Sequence, residues 1–289
     1  MGKADRGCRT KRVGVMTYEQ AGEGPLHYFP CRYDRSRLLF RGPRRDVAGD
    51  HVAFLGGTET YGKFLRDPFP ALVEVAVGVP SLNLGCVQAG PDAYLNDPAT
   101  LEMTRQAAVT VVQVTGALNL SNRLYAVHPR RNDRFLRASP ALQSLYPEVD
   151  FTEFAFTRHL TRSLADVSPD RFGQVVAELR TAWVARMITL LDRLSPPVVL
   201  LWLGLHPPPQ APVADPMADP PLIDAGMLVP LQRRVAAYVE VVASDHARAE
   251  GVRGMAFPPL EAQAAQGLPG PAVHAEVAAA LSPVIRGLL

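Results

Sequence analysis

Three short apolar runs in this chain each end in a glycine, and that repeated ending limits the possible folds more than any other feature. Val52–Leu55 leads into Gly56 and Gly57, Ser81–Leu84 into Gly85, and Ala108–Thr115 into Gly116. The last run is β-branched and apolar on both faces, the pattern of a strand inside a parallel sheet covered by helices on each side. A glycine at the end of such a strand lets the backbone turn sharply or come close to a ligand, because it lacks Cβ. Ligands of parallel α/β sheets gather at the carboxyl ends of the strands. The three glycine turns are therefore expected on one edge of one sheet, around one site.

The rest of the chain supplies the remaining layers. Val198–Leu203 reads as a fourth buried strand and Tyr238–Ala243 as a fifth. Phe172–Leu194 carries Val175, Val176, Leu179, Trp183, Met187 and Leu190 at helical spacing and is the clearest helix. Further helices are expected at 61–66 and 71–76 across the Pro68 and Pro70 interruption, from Asp97 or Thr100 to about Gln106, and at Met227–Ala237 and Ala272–Leu288. His206–Pro221 holds seven prolines in sixteen residues and can only be a loop. Strands alternating with helices specify a three-layer α/β/α sandwich with about five parallel strands. Residues 1–50, with Arg35, Arg37, Arg41, Arg44 and Arg45 around Gly42-Pro43, read as a basic surface arm with one short strand at Arg37–Phe40. Residues 51–289 form the α/β domain, interrupted at about 119–170 by an excursion rich in arginine and aromatic residues.

Composition narrows the function classes. The chain of 289 residues is 47% hydrophobic and 20% charged, ordinary for a globular protein with a full core. A net charge of +2, with basic residues interleaved among acids, offers no footprint for nucleic acid. No apolar window reaches the length of a bilayer span, and the first twenty residues lack the apolar stretch of a secretory signal, so a cytoplasmic location is expected. Cys8, Cys31 and Cys86 are widely spaced without a CxxC pair, so neither a disulfide framework nor a metal site is indicated, and no cofactor is expected.

Polar chemistry concentrates in Gly56-Gly57-Thr58-Glu59-Thr60-Tyr61-Gly62. Two site chemistries suit a strand that ends in glycines and hydroxyls: a nucleophilic hydroxyl or a phosphate cradle. Together with three later segments, the run resembles the SGNH (GDSL-like) hydrolase superfamily of esterases, lipases and carbohydrate deacetylases. Its first block reads Gly-Asp-Ser-x-Thr-x-Gly, and in this chain Gly57 stands for the aspartate and Thr58 for the serine. Asn83-Leu84-Gly85 followed by Gly90 is similar to the second block. Gly116-Ala117-Leu118-Asn119 is similar to the third, Gly-x-Asn-Asp, with its asparagine one residue late and Asn122 as a second candidate. His274 sits where the final Asp-x-x-His block belongs, with Pro271 at the aspartate position. The likeness covers about residues 50–289 in block order, and the long motifs also resemble a bacterial domain family without assigned chemistry. It implies Thr58 as nucleophile, His274 as base, Gly85 and Asn119 as the oxyanion hole, and a small-molecule or carbohydrate ester as substrate.

An acyl-transfer site needs a hydroxyl, a proton acceptor, and donors aimed at the developing oxyanion. The extra methyl of Thr58 crowds the attack, and without an aspartate at 271 the ring of His274 needs Glu261, Glu276 or a backbone carbonyl to orient it. A second reading is therefore a catalytically degenerate scaffold that binds a sugar or an anion. A third is a P-loop, since Gly57–Lys63 fits GxxxxGK. However, Phe64 replaces the magnesium-binding hydroxyl, Pro68 and Pro70 break the following helix, and Gly85, Asn119 and His274 go unexplained. Arg130 and Arg131, with Asn122, are expected at the pocket mouth, where arginine grips an anion in a bidentate fork. Alternatively, the arginines of the excursion pair with Asp133, Glu148, Asp150 and Glu153. Trp183 and Met187 are assigned to a helix core and His159 to a structural role. Tyr125, Tyr146, Phe151, Phe154 and Phe156 build a satellite core or stack on sugar rings.

Overall fold

A computed structural model of the protein describes residues 26–46 and 49–289. The chain enters the domain through β1 (Val52–Leu55), a single turn α1 (Thr58–Tyr61) and α2 (Phe69–Val77). β2 (Ser81–Asn83), α3 (Pro91–Leu95), α4 (Pro98–Arg105) and β3 (Val109–Gln113) follow. The excursion contains β4 (Tyr125–His128), β5 (Arg131–Ala138), α5 (Pro140–Leu145) and α6 (Thr157–Val167). The long α7 (Pro169–Leu191) leads to β6 (Val198–Gly204), α8 (Ala225–Gln232) and β7 (Ala237–Val242). α9 (Asp245–Glu250), α10 (Ala262–Gln266) and α11 (Pro271–Leu288) close the chain.

Five strands form one sheet in the order β2-β1-β3-β6-β7, all neighbours parallel. Numbered within the sheet this is 2-1-3-4-5, the flavodoxin-like doubly wound order, whose strand order reverses between β1 and β3. Alternate residues of each strand feed two helix layers. Ala53, Leu55, Val112, Leu200 and Trp202 join a core shared with Leu160, Leu179 and Trp183 of α6 and α7. Val52, Phe54, Val111, Val199 and Leu201 pack instead against Phe69 and Val73 of α2 and Val277, Leu281 and Ile285 of α11. Burying each of these larger side chains contributes on the order of 1.5–3 kcal/mol, which is why the two-sided apolar strands form the middle layer. The three-layer α/β/α architecture is thus the one the strand patterns specify.

Several local expectations change. The helix expected at 61–66 begins at Thr58 and is over at Tyr61, because Gly62 caps it in the left-handed conformation (φ 72°). The excursion holds an antiparallel hairpin, β4 with β5, in which only every second or third residue is buried, so its sequence carries no clean alternation. The helix expected at Met227–Ala237 stops at Gln232, and β7 begins at Ala237. The strand expected at Arg37–Phe40 is a single bridge between Cys31 and Phe40. The described part of the arm is no superficial strap, since Tyr33, Leu38 and Phe40 are buried in the main core. The rest of the arm, residues 1–25 with Val47 and Ala48, lies outside the described residues. No helix among the described residues is long and apolar enough to cross a membrane.

Candidate functional site

The switch point between β1 and β3 carries the densest polar network of the sheet edge. Register sets Leu55 opposite Val112, so Gly56 and Gln113 leave the sheet side by side. Gln113 is almost fully buried, and its carboxamide oxygen accepts from Gly57 N (3.1 Å), Thr60 N (3.3 Å) and Thr60 Oγ1 (2.6 Å). Its Nε2 donates to Glu59 Oε2 at 2.9 Å. One side chain thereby satisfies the start of α1 and aims a carboxylate. Tyr94 holds the other flank, accepting Gly56 N and donating to Gly56 O at 2.6 Å.

Thr58 opens α1 and is buried at 4% exposure. Its Oγ1 accepts the backbone N–H of Gln88 at 3.0 Å, so the hydroxyl hydrogen remains to be donated elsewhere. Gln88 adopts a positive φ of 57°, the turn that points its N–H at Thr58. The carbonyl of Gln88 in turn accepts Asn119 Nδ2 (3.0 Å), while Asn119 Oδ1 accepts Thr157 Oγ1 (2.7 Å) from the first turn of α6. Thr58, Gln88 and Asn119 form one connected corner, and Gln88 is a member the sequence motifs missed.

Gly85 lies close by with a different task. Its N–H is taken by Asn83 Oδ1 (3.0 Å), and a Cβ at this position would sit 2.4 Å from Tyr61 N and 2.7 Å from Thr60 C. The glycine therefore lets the end of β2 touch α1, and the amide facing Thr58 belongs to Gln88 rather than to Gly85.

No hydrogen bond joins His274 to Thr58 among the described residues. His274 lies on the inner face of α11, 1% exposed, where its Nδ1 accepts the N–H of Phe69 at 3.0 Å and its ring packs on the Phe69 ring at 5.6 Å. An Nδ1 that accepts leaves the proton of the neutral ring on Nε2. Burial, reinforced by the charge of Arg41, pushes the His274 pKa down to about 3. The expected partners of His274 are engaged elsewhere: Glu261 with Lys63 (3.4 Å) and Glu276 with Ser244 N (3.1 Å). Pro271 opens α11 as its first residue, so the aspartate-equivalent position is a helix start.

The opposite rim comes from the proline-rich loop after β6. Pro221 O accepts Ala117 N (3.0 Å), and Pro221 packs so tightly on Gly116 that a Cβ there would lie 2.3 Å from its ring. Arg180 of α7 bonds Leu222 O (3.2 Å) and pairs with Asp224, fixing the end of the loop. This loop delivers His206 and Asp219, and α6 delivers Arg158. Burial and the neighbouring Asp219 raise the Glu59 pKa, against the lowering effects of the Gln113 hydrogen bond and Arg158. Burial also raises Asp219, opposed by Arg158 and His206. Glu59, Asp219, Arg158 and His206 thus influence one another electrostatically beside the end of β1. The sequence offered no motif for it, since its members come from three separate segments.

The remaining expected residues make contacts outside this corner. Asn122 closes a local turn, its Oδ1 accepting Leu124 N (2.8 Å) and Tyr125 N (3.1 Å). Arg130 and Arg131 are exposed at the turn of the hairpin, their N–H groups bonded to His128 Nδ1. Neighbouring Asn132 is fully buried and accepts Gly90 N and Ala93 N, both at 3.0 Å, tying the hairpin to the loop that carries Gln88. The ion pairs that pin the excursion are Arg123 with Glu178 (2.5 Å) and Arg171 with Glu148. Lys63 follows the C-terminal cap of α1, where carbonyls rather than amides are left over. A phosphate cradle needs the opposite end of a helix. Among the described residues, no group of three or more His, Cys, Asp or Glu side chains could hold a metal ion.

The chain belongs to the family described as "Domain of unknown function (DUF6473)", whose profile matches residues 16–289. No curated protein matches it. Among solved structures it is similar to the lipase Lip_vut3 from a goat rumen metagenome, at 14% identity and a TM-score of 0.36 over 80% of this chain and 97% of that one.

Proposed function

We propose that the cleft at the carboxyl ends of β1 and β3 hydrolyses or transfers an O-acyl group, in the manner of SGNH-like enzymes, with Thr58 as the reacting hydroxyl and a carbohydrate ester as substrate. The observation that carries this reading is the donor corner. Gln88 N–H already meets Thr58 Oγ1 at 3.0 Å, and the Asn119 carboxamide is tied to the same residue. Fixed donors beside a hydroxyl are what a tetrahedral oxyanion requires, and one such donor is worth on the order of 3 kcal/mol in the transition state. Asn119 turns its Nδ2 towards that oxyanion as the substrate carbonyl displaces its bond to Gln88. His274 is committed to Phe69, so in this reading the proton acceptor is a carboxylate of the cleft. In this reading Arg130 and Arg131 on the hairpin turn, together with Asn122, bind an anionic group of the substrate.

A second reading, a ligand-binding scaffold without turnover, is favoured by one specific observation: the histidine at the base position of the SGNH pattern bonds Phe69 N–H and makes no hydrogen bond to Thr58 among the described residues. A panel of short acyl p-nitrophenyl esters and acetylated sugars separates the two. Turnover by the wild type that is lost in Thr58→Ala supports acyl transfer. Saturable glycan binding without turnover supports the scaffold.

A further inference from the structure

We propose that the side chain of Gln88 determines specificity in this cleft, reading a free hydroxyl on the carbon next to the one that bears the ester. The inference rests on the acyl-transfer reading and narrows its substrate to esters of polyhydroxylated alcohols. Its first support is the backbone of Gln88. Ala89 N bonds Cys86 O at 3.1 Å, which makes Val87 and Gln88 the central residues of a tight turn. Gln88, the second of them, takes φ 57°, a left-handed conformation that suits glycine and strains a residue with a Cβ. Each of the other described non-glycine residues with positive φ has a side chain that the fold uses. Phe64 and Leu222 are buried, Asp34 pairs with Arg44 at 3.2 Å, and the Phe29 ring lies 4.3 Å from that of His27. Strain held at an exposed residue points to a role outside the fold.

The second support is where the Gln88 carboxamide stands. Gln88 is exposed, and among the described residues its side chain is met only by Asn119 Nδ2, 3.5 Å from Oε1 and at the outer limit of a hydrogen bond. The fold therefore leaves the group free beside Asn119, while the N–H of the same residue meets Thr58 Oγ1 at 3.0 Å. The turn beneath it is held at both ends. Cys86 N bonds Gly56 O at 3.1 Å, and Asn132 Oδ1 accepts Gly90 N and Ala93 N. Gly90 also fits so closely on the next loop that a Cβ there would lie 1.9 Å from Asn119 O. A recognition group carried on a fixed turn is in position before the substrate arrives.

The chemistry of the two groups matches. A carboxamide offers two N–H donors and an acceptor oxygen, and a hydroxyl both donates and accepts. An ester whose carbonyl turns to Gln88 N–H carries its alcohol portion past the same residue, so a hydroxyl one carbon from the ester meets the carboxamide. A plain alkyl ester leaves the carboxamide in water and gains nothing from it. Preference for the hydroxylated ester by about tenfold is the weight of one neutral hydrogen bond.

Ethyl acetate and 2-hydroxyethyl acetate differ by that one hydroxyl, and the ratio of their kcat/KM values, read from acid release by the full chain, tests the assignment. The wild type should favour the hydroxylated ester by about tenfold. Gln88→Gly removes the side chain, and Gln88→Met keeps its length without its hydrogen-bonding groups. Both variants, verified as folded by circular dichroism, should lose the preference, with KM for the hydroxylated ester carrying the change. A preference that falls in Gln88→Gly but survives Gln88→Met belongs to bulk and overturns the proposal. Turnover that needs Thr58, with a ratio indifferent to both variants, defeats the subsite and leaves the ester reading standing. If the wild type turns over neither ester, titration with a mono-O-acetylated methyl glucoside decides. Saturable binding that weakens about tenfold in Gln88→Met defeats the ester reading while upholding recognition by Gln88. Binding that is absent, or unchanged in that variant, defeats both.

Discussion

Gln113 and His274 are both buried polar side chains that accept backbone N–H groups at the start of a helix, yet they sit in opposite kinds of surroundings. Gln113 stands at the carboxyl edge, accepts three donors from the Gly57–Thr60 turn, and passes its own N–H outwards to a carboxylate. His274 is enclosed between α2 and α11 among Phe69, Val273, Val277 and Ala278, and its bond to Phe69 leads nowhere. The first relays order towards a half-buried carboxylate at the sheet edge, and the second ends inside a core. The contrast teaches that motif spacing alone does not give a residue its role. A side chain at the carboxyl edge of the sheet is available for chemistry, whereas the same side chain one helix face away serves packing.

The largest expected effect belongs to the closed region. Since His274 has a folded pKa of about 3, against about 6.5 unfolded, only the unfolded chain gains a proton as pH drops below 6.5. Stability therefore falls through that window and levels off near pH 3, with a contribution on the order of 4–5 kcal/mol. His274→Gln keeps an acceptor for Phe69 N–H and cannot be charged. Urea unfolding at pH 7 and pH 4 should show a markedly smaller loss in this variant than in the wild type. Equal losses would mean that His274 is not enclosed as described, and the contrast with Gln113 would collapse.

Next in size is the effect of Thr58→Ala on the open region. Ester turnover should fall by about a hundredfold or more, equivalent to about 2.7 kcal/mol of barrier, with the unfolding midpoint little changed. Thr58→Ser removes the crowding methyl and should retain or raise the rate. A fall in activity with His274→Ala that exceeds its effect on folding would return the histidine to the chemistry and break the division between the regions.

How far the sequence exposed this division depends on periodicity. Buried strands such as Val109–Gln113 and Val198–Gly204 are apolar on both faces, and the long helix repeats its apolar residues at helical spacing, so the sandwich was legible. His274 was legible too, but in the other pattern. It shares a stripe with Val277, Ala278, Leu281 and Ile285, and that helical register marks it as core more strongly than the Asp-x-x-His spacing marks it as a base. The corner of Thr58 and Asn119 followed from strand-end glycines, whereas Gln88 joined it through a left-handed turn that no residue type announces. Glu59, Asp219, Arg158 and His206 influence one another only because α1, α6 and the proline-rich loop are packed together, and one sequence holds no trace of that.

Removing the relay itself should cost less than either change above. Gln113→Ala leaves Gly57 N and Thr60 N without their acceptor in a buried turn, and destabilisation of about 1–2 kcal/mol is expected from chemical unfolding. Gln113→Glu sharpens the test. It keeps the acceptor but turns an oxygen instead of an N–H towards Glu59, so the titration of Glu59 should move further up. A Glu59 titration indifferent to this substitution would mean that Gln113 orders the turn without governing the carboxylate.

The smallest effect is expected outside both regions, at Lys63. Its Nζ lies 3.4 Å from Glu261 and 4.5 Å from the centre of the Phe64 ring, with about a quarter of the side chain exposed. Phe64 itself is buried against Met255 and Phe257 in a satellite cluster, so the lysine covers the edge of a small core. A partly solvated pair of this kind contributes below about 1 kcal/mol, and Lys63→Ala should lower the unfolding midpoint only slightly. Because Lys63 follows the carbonyl end of α1, ATP or GTP with magnesium should neither bind at micromolar concentration nor raise the midpoint of the wild type. Saturable nucleotide binding abolished by Lys63→Ala would give this segment a chemistry of its own. It would also show that the helix end at Gly62, rather than the switch-point cleft, is where the protein meets its ligand.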